Sequence, residues 1–72
     1  NAAGAAAAYE EAVRLAPSDP GGYRGLGLAY EKQGRINDAI AALVSYLKLS
    51  RHAHDREVIT RRLQRLTHQS SN

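Results

Sequence analysis

Three histidines, His52, His54 and His68, are the side chains best suited to bind a transition metal. His52 and His54 lie two residues apart in the segment SRHAHD, but the chain has no cysteine and no third ligand follows at a fixed spacing. A structural zinc site needs four such ligands. The spacing therefore favours a solvated turn, and we expect no bound metal and no cofactor.

Hydroxyl groups are the next candidates for chemistry, on Ser45, Ser50 and Thr60. Nucleophilic catalysis needs a base, and an acid that orients the base, in one pocket. Nothing in the spacing brings such groups together, so we expect no catalytic residue and no enzymatic activity. A dinucleotide-binding loop is also excluded, because Gly25 and Gly27 are not followed by the third required glycine and no strand precedes them.

The positive charge of the chain, formally +3, is concentrated near its end. Residues 1–50 carry five basic and five acidic side chains, whereas residues 51–72 carry five arginines against Asp55 and Glu57. A basic segment can favour acidic partners or nucleic acid. Because no aromatic side chains are interleaved here, the solvated face of a terminal helix is the favoured interpretation, and nucleic-acid binding is the least favoured function. No apolar run approaches the roughly 18 residues that span a bilayer.

Helices must position these side chains, and four are predicted. The first covers residues 2–16 and is stopped by Pro17. The second begins at Pro20 with Asp19 as its N-cap, and ends at Gly34, which suits the left-handed residue after a helix. Thirteen alanines favour helices that pack closely.

Apolar residues at three- and four-residue spacing predict two more helices. The third runs from about residue 35 to Leu49, and the fourth covers residues 56–67 with Asp55 as its N-cap. Short connections between four helices predict antiparallel packing and an all-α fold. Tyrosines at positions 9, 23, 30 and 46 are expected to lie in the core.

Residue types at fixed offsets resemble the tetratricopeptide repeat. The second helix reads YRGLGLAY, and the spacing of Ala39 and Leu43 in the third helix repeats that of Ala5 and Tyr9 in the first, thirty-four residues earlier. The positions that match the family signature are Ala5, Tyr9, Ala12, Pro17, Tyr23, Leu26, Gly27, Tyr30, Gly34, Ala39 and Leu43.

This resemblance implies an α-solenoid fragment of antiparallel helix–turn–helix repeats. Residues 1–17 would be the second helix of a partial repeat, residues 20–50 a complete repeat, residues 55–67 a C-terminal capping helix, and residues 68–72 a frayed tail. The chain is thus interpreted as the C-terminal part of a longer array.

The glycines of the second helix have different expected roles. In this family two helices cross closely at the position of Gly27, opposite the small residue Ala39. Gly25 lies outside the signature, and Gly25→Ala is predicted to be neutral or mildly stabilising if the backbone angles of Gly25 are helical. Tyr46 stands where a small residue is usual, and Arg51 stands where proline is common.

The resemblance also implies a function: a non-enzymatic protein-interaction or scaffolding module that binds a peptide or neighbouring domain on its concave surface. Arg24, Leu28, Glu31 and Lys32 would line that groove. Leu28 occupies the place where the chaperone-tail-binding members need asparagine, so a chaperone clamp is not expected. Arg24→Glu with Leu28→Asp should weaken binding and leave the melting temperature nearly unchanged.

An alternative interpretation is structural. The Ala-rich face of the first helix would then mediate homo-oligomerisation, or docking onto the rest of a parent chain. The residues of this face are Ala2, Ala3, Ala6 and Ala7.

Overall fold

The computed structural model describes residues 1–71, which form four α-helices. They are α1 (Ala2–Leu15), α2 (Pro20–Lys32), α3 (Ile36–Leu49) and α4 (Arg56–Ser71). Each helix packs on the next one along the chain. The predicted all-α fold is confirmed, and none of the helices within residues 1–71 is both long and apolar enough to cross a membrane.

The ends of α1 and α2 follow from the residues at their boundaries. The Asn1 side chain accepts a hydrogen bond from Gly4 N at 2.6 Å at the start of α1. Asp19 Oδ1 accepts from Gly21 N at 3.0 Å, which caps α2 ahead of Pro20. Gly34 has φ +77°, the left-handed conformation that ends a helix and that favours glycine.

Residues from all four helices form a single core. A Cβ atom on Gly27 would lie 2.5 Å from Leu43 Cδ2 and 3.5 Å from the Ala39 carbonyl oxygen. Leu43 and Ala39 are fully buried, so α2 and α3 cross at this point with no room for a side chain. The buried side chains are Ala6, Leu26, Ala29, Tyr30, Ala39, Ala42, Leu43, Tyr46, Ile59 and Leu66.

The contact between α1 and α2 depends on Gly25. A Cβ atom there would lie 2.6 Å from Tyr9 Cδ1, and closer still to Cε1 and Cζ of the same ring. The glycine therefore makes room for an aromatic ring on the surface of α2. The prediction for Gly25→Ala considered only the backbone angles at this position, and the structure adds the displacement of the Tyr9 ring to its cost.

The fourth helix is longer than predicted. It begins at Arg56 but continues to Ser71, so residues 68–71 are helical rather than a frayed tail. The hydroxyls of Thr67 and Ser71 donate to backbone carbonyls four residues earlier, at 2.8 and 3.0 Å. Ser70 Oγ donates to Asn37 Oδ1 at 2.5 Å, which ties the last turn to α3. Asn72, the end of the predicted tail, lies outside the described residues.

Candidate functional site

The exposed side of α2 carries the four residues predicted to bind a partner, but the structure divides them. Arg24, Leu28 and Lys32 line a cavity between α1 and α2. Glu31 lines a different cavity, which is bordered by α4. The residues of the predicted groove therefore line two separate cavities.

The cavity between α1 and α2, here called the α1–α2 cleft, has a volume of about 460 Å³. Tyr9 and Leu28 form its apolar wall, and the Lys32 side chain is exposed at its edge. Tyr9 is 39% exposed, so the expectation that it lies in the core is wrong. The lining residues are Asn1, Ala5, Tyr9, Arg24, Gly25, Leu28, Ala29 and Lys32.

Arg24 already has a carboxylate partner within the chain. Its Nε atom donates to Asp55 Oδ2 at 2.6 Å, and the Tyr46 hydroxyl donates to Asp55 Oδ1 at 2.6 Å. We call these three residues the Asp55 cluster. Asp55 precedes α4, and its backbone carbonyl accepts from Ile59 N at 3.0 Å. Its carboxylate, which was expected to cap α4, instead connects the start of α4 to α2 and α3.

The electrostatics of the Asp55 cluster follow from these hydrogen bonds. The donors Tyr46 and Arg24 stabilise the ionised carboxylate, and they lower the pKa of Asp55 below its ordinary value of 3.8. The hydrogen bond to Asp55 raises the pKa of Tyr46, because it stabilises the neutral hydroxyl. The Asp55 side chain is 14% exposed and the Arg24 side chain 43%, so the carboxylate is shielded from water whereas the guanidinium is partly solvated.

The Asp55 cluster escaped the sequence analysis, although one departure from the family pattern pointed to it. Tyr46 stands where a small residue is usual, and its hydroxyl is what reaches Asp55. The structure also changes the expected effect of reversing Arg24. A glutamate there would face Asp55, so Arg24→Glu should destabilise the fold rather than leave the melting temperature unchanged.

Glu31 is likewise paired. Arg62 Nη1 donates to Glu31 Oε1 at 2.7 Å, and the two side chains are 33% and 27% exposed respectively. This pair connects α2 to α4 and cancels the negative charge that was expected to repel acidic ligands. Beside it lies a cavity of about 920 Å³, with Val58 and Arg65 among its lining residues.

The Ala-rich face predicted on α1 is not one continuous exposed surface. Ala6 is 2% exposed and belongs to the core, whereas Ala3 and Ala7 are exposed. The side chain of Ala2 lies outside the described part of the chain. The residues proposed for self-association therefore point in at least two directions.

The candidate nucleophiles and metal ligands are not gathered into a site. Ser45 Oγ donates to the Ala41 carbonyl at 3.1 Å, and Thr60 Oγ1 donates to the Arg56 carbonyl at 2.8 Å. His52 is exposed in the turn before α4. Within residues 1–71, no three metal-binding side chains lie close enough together to hold an ion.

Comparison with known families gives one match. The sequence model of the tetratricopeptide repeat matches residues 1–64, which include α1, α2, α3 and the first half of α4. No curated protein and no solved structure matches the chain.

Proposed function

Because the chain belongs to the tetratricopeptide repeat family, we propose that it is a non-enzymatic protein-interaction module whose peptide-binding site is the α1–α2 cleft. Repeats of this family generally mediate protein–protein interaction, and they are typically not enzymes. The family therefore gives the class of function, and the geometry of the cleft is the basis for the choice of surface.

The observation that carries the proposal is the apolar wall that Gly25 makes possible. Because Gly25 has no side chain, the ring of Tyr9 lies against α2 and faces the cleft together with Leu28. An aromatic ring and a leucine side by side offer an apolar contact at low conformational cost. The volume of about 460 Å³ falls in the range of small-ligand pockets.

The positive charge at the edge of the cleft indicates which side chain the peptide would carry beside its apolar residue. Lys32 has no carboxylate partner within residues 1–71, and it stands four residues from Leu28, on the same side of α2. We therefore infer a peptide in which an acidic residue neighbours an apolar one. In this proposal Leu28 and Lys32 contact the ligand, Arg24 positions the start of α4, and Glu31 takes no part.

Selection from a random peptide library displayed on phage tests this proposal. The selected peptides should pair an apolar residue with an acidic one, and should bind the variant Leu28→Asp with Lys32→Glu about tenfold more weakly or worse. A control, Val58→Asp with Arg61→Glu, introduces the same two acidic residues on the exposed face of α4 and should retain full affinity.

Two results would contradict the proposal. The first is that the selected peptides bind the Leu28 and Lys32 variant as well as the original chain does. The second is that peptide binding changes the amide chemical shifts of α4 residues and leaves those of Tyr9 and Leu28 unchanged.

A further inference from the structure

The ion pairs within residues 1–71 leave the positive charge of the chain in few places. Five basic side chains are paired with carboxylates: Arg14, Arg24, Arg35, Arg61 and Arg62. Five others have no carboxylate partner within the described residues: Lys32, Lys48, Arg51, Arg56 and Arg65. Three of these five, Lys48, Arg51 and Arg56, line one cavity between α3 and α4.

This cavity, here called the α3–α4 notch, has a volume of about 610 Å³. Its three remaining lining residues are apolar and half-buried: Val44, Leu47 and Leu63. Leu47 and Leu63 also pack against the core, so the floor of the notch is a fixed part of the fold. Among residues 1–71 no acidic side chain lines the notch, and its apolar floor is surrounded by positive charge that has no carboxylate partner.

Arg56 holds one edge of the notch in position. Its Nη1 atom donates to the carbonyl oxygens of Leu47 at 2.7 Å and Ser50 at 3.2 Å, at the C-terminal end of α3. A cation at a helix C-terminus is a common stabilising feature, and it accounts for Arg56. Lys48 and Arg51 make no side-chain hydrogen bond within residues 1–71, so their charge remains available to a ligand.

We propose that the α3–α4 notch is a second docking surface, which binds an acidic peptide segment through one apolar side chain. The apolar side chain would lie over Val44, Leu47 and Leu63, and flanking carboxylates would lie beside Lys48 and Arg51. The notch shares no lining residue with the α1–α2 cleft, so this inference goes beyond the proposed function and does not depend on it.

An acidic peptide fits the notch better than nucleic acid does. A nucleic acid binds mainly through phosphate contacts spread over a large basic surface. Here the basic surface is three side chains wide, and the cavity floor offers apolar contacts that a phosphate backbone cannot use. A peptide can use both parts of the site, because it can carry leucine and glutamate side by side.

The test uses two short synthetic peptides labelled with a fluorophore. Both consist of glutamate, aspartate and glycine, and one carries a central leucine where the other carries serine. Fluorescence anisotropy at low salt should give at least about a tenfold tighter dissociation constant for the leucine peptide. Amide shifts on binding should map to Leu47, Lys48 and Arg51.

Substitutions then test whether the positive charge beside the notch contributes to peptide binding. Lys48→Gln with Arg51→Gln should weaken binding of the leucine peptide at least about tenfold, and these substitutions place no negative charge at the C-terminal end of α3. The control, Arg61→Gln with Arg65→Gln, removes two exposed arginines of α4 that do not line the notch. It alters the net charge equally and should change the affinity less than about twofold.

Four results would overturn the proposal. An equal loss of affinity in both double variants would mean that the peptide responds only to net charge. Equal affinity for the serine and leucine peptides would show that no apolar contact contributes to binding. No binding at about 1 mM peptide would exclude the site. Binding of a single-stranded DNA oligonucleotide to the notch, at least as tight as that of the leucine peptide, would favour nucleic acid instead.

Discussion

The two interfaces of α2 are built in different ways. On one side, Gly27 receives the fully buried Leu43 of α3, and the contact is dry and tightly packed. On the other side, Gly25 receives the Tyr9 ring of α1, which stays 39% exposed and forms the wall of a cleft. The absence of a side chain thus allows tight core packing at Gly27, whereas at Gly25 it forms part of an open cleft.

The polar contacts at the edges of α2 follow the same division. The buried Tyr30 donates through its hydroxyl to Glu10 Oε2 of α1 at 2.5 Å, which raises the pKa of Tyr30. Toward α4, Arg24 pairs with Asp55. Side-chain hydrogen bonds therefore fasten α2 to its more exposed neighbours, whereas apolar packing joins it to α3.

Substitution of Gly27 should have the largest effect. Gly27→Ala places a Cβ atom 2.5 Å from Cδ2 of Leu43, which is fully buried and must shift to admit it. We expect a loss of about 2–3 kcal/mol in the free energy of unfolding, and a larger loss for Gly27→Leu. Thermal unfolding, monitored by circular dichroism, measures this loss of stability. A neutral Gly27→Ala would show that α2 and α3 do not cross at this residue.

The second largest effect is expected at Asp55. Asp55→Asn removes the charge that Arg24 and Tyr46 stabilise, and should cost about 1–2 kcal/mol at neutral pH. Because the folded-state pKa of Asp55 is lowered, its contribution is present above the ordinary value of 3.8 and is lost as the pH falls through the lower folded value. The original chain should therefore lose stability below about pH 4 more steeply than the variant does. Denaturant unfolding between neutral pH and about pH 2 gives the free energy of unfolding as a function of pH. Equal slopes of this free energy against pH for the two proteins would contradict the prediction.

Both predictions show what a sequence pattern can and cannot supply. The start of α2, the left-handed Gly34 and the close crossing at Gly27 were predictable, because each depends on local conformation or on a signature residue. The Asp55 cluster was not, because Arg24 and Asp55 lie 31 residues apart and meet only once the helices have packed. The length of α4 was also missed, since its last turn contacts α3 through Ser70 and Asn37, which lie 33 residues apart in the sequence.

The candidate site was predicted only in part, for a related reason. Helical spacing predicted one groove lined by Arg24, Leu28, Glu31 and Lys32, whereas Glu31 borders a different cavity from the other three. It could not tell that two of them are paired with residues of another element, or that Tyr9 forms the facing wall. The extra glycine, Gly25, was the sequence signal for that wall, and a family signature gives no reason to interpret it.

A smaller effect is expected at Gly25, where the neighbouring ring can move. Gly25→Ala gains about 1 kcal/mol of helix propensity but displaces the Tyr9 ring into solvent, so the net change should stay within about 1 kcal/mol. The proton resonances of the Tyr9 ring should nevertheless shift strongly. Unchanged ring resonances together with a gain in stability would show that the ring does not rest on Gly25.

The smallest effect compares two ion pairs of α4. Glu57 and Arg61 form a pair one helical turn apart, with side chains 78% and 74% exposed, whereas Glu31 and Arg62 connect two helices and are half as exposed or less. Double-mutant cycles to alanine should give a coupling of about 0.3 kcal/mol for the first pair and about 0.5–1 kcal/mol for the second.

Salt sharpens this last comparison, because exposed charges are screened more than partly buried ones. Raising the ionic strength toward about 1 M should abolish the Glu57–Arg61 coupling and leave a measurable part of the Glu31–Arg62 coupling. If both couplings vanish together, the Glu31–Arg62 pair is a surface contact that does not fasten α4 to α2. The attachment of α4 to α2 would then depend on the Arg24–Asp55 pair, and Glu31 would be free to take part in binding as the sequence first suggested.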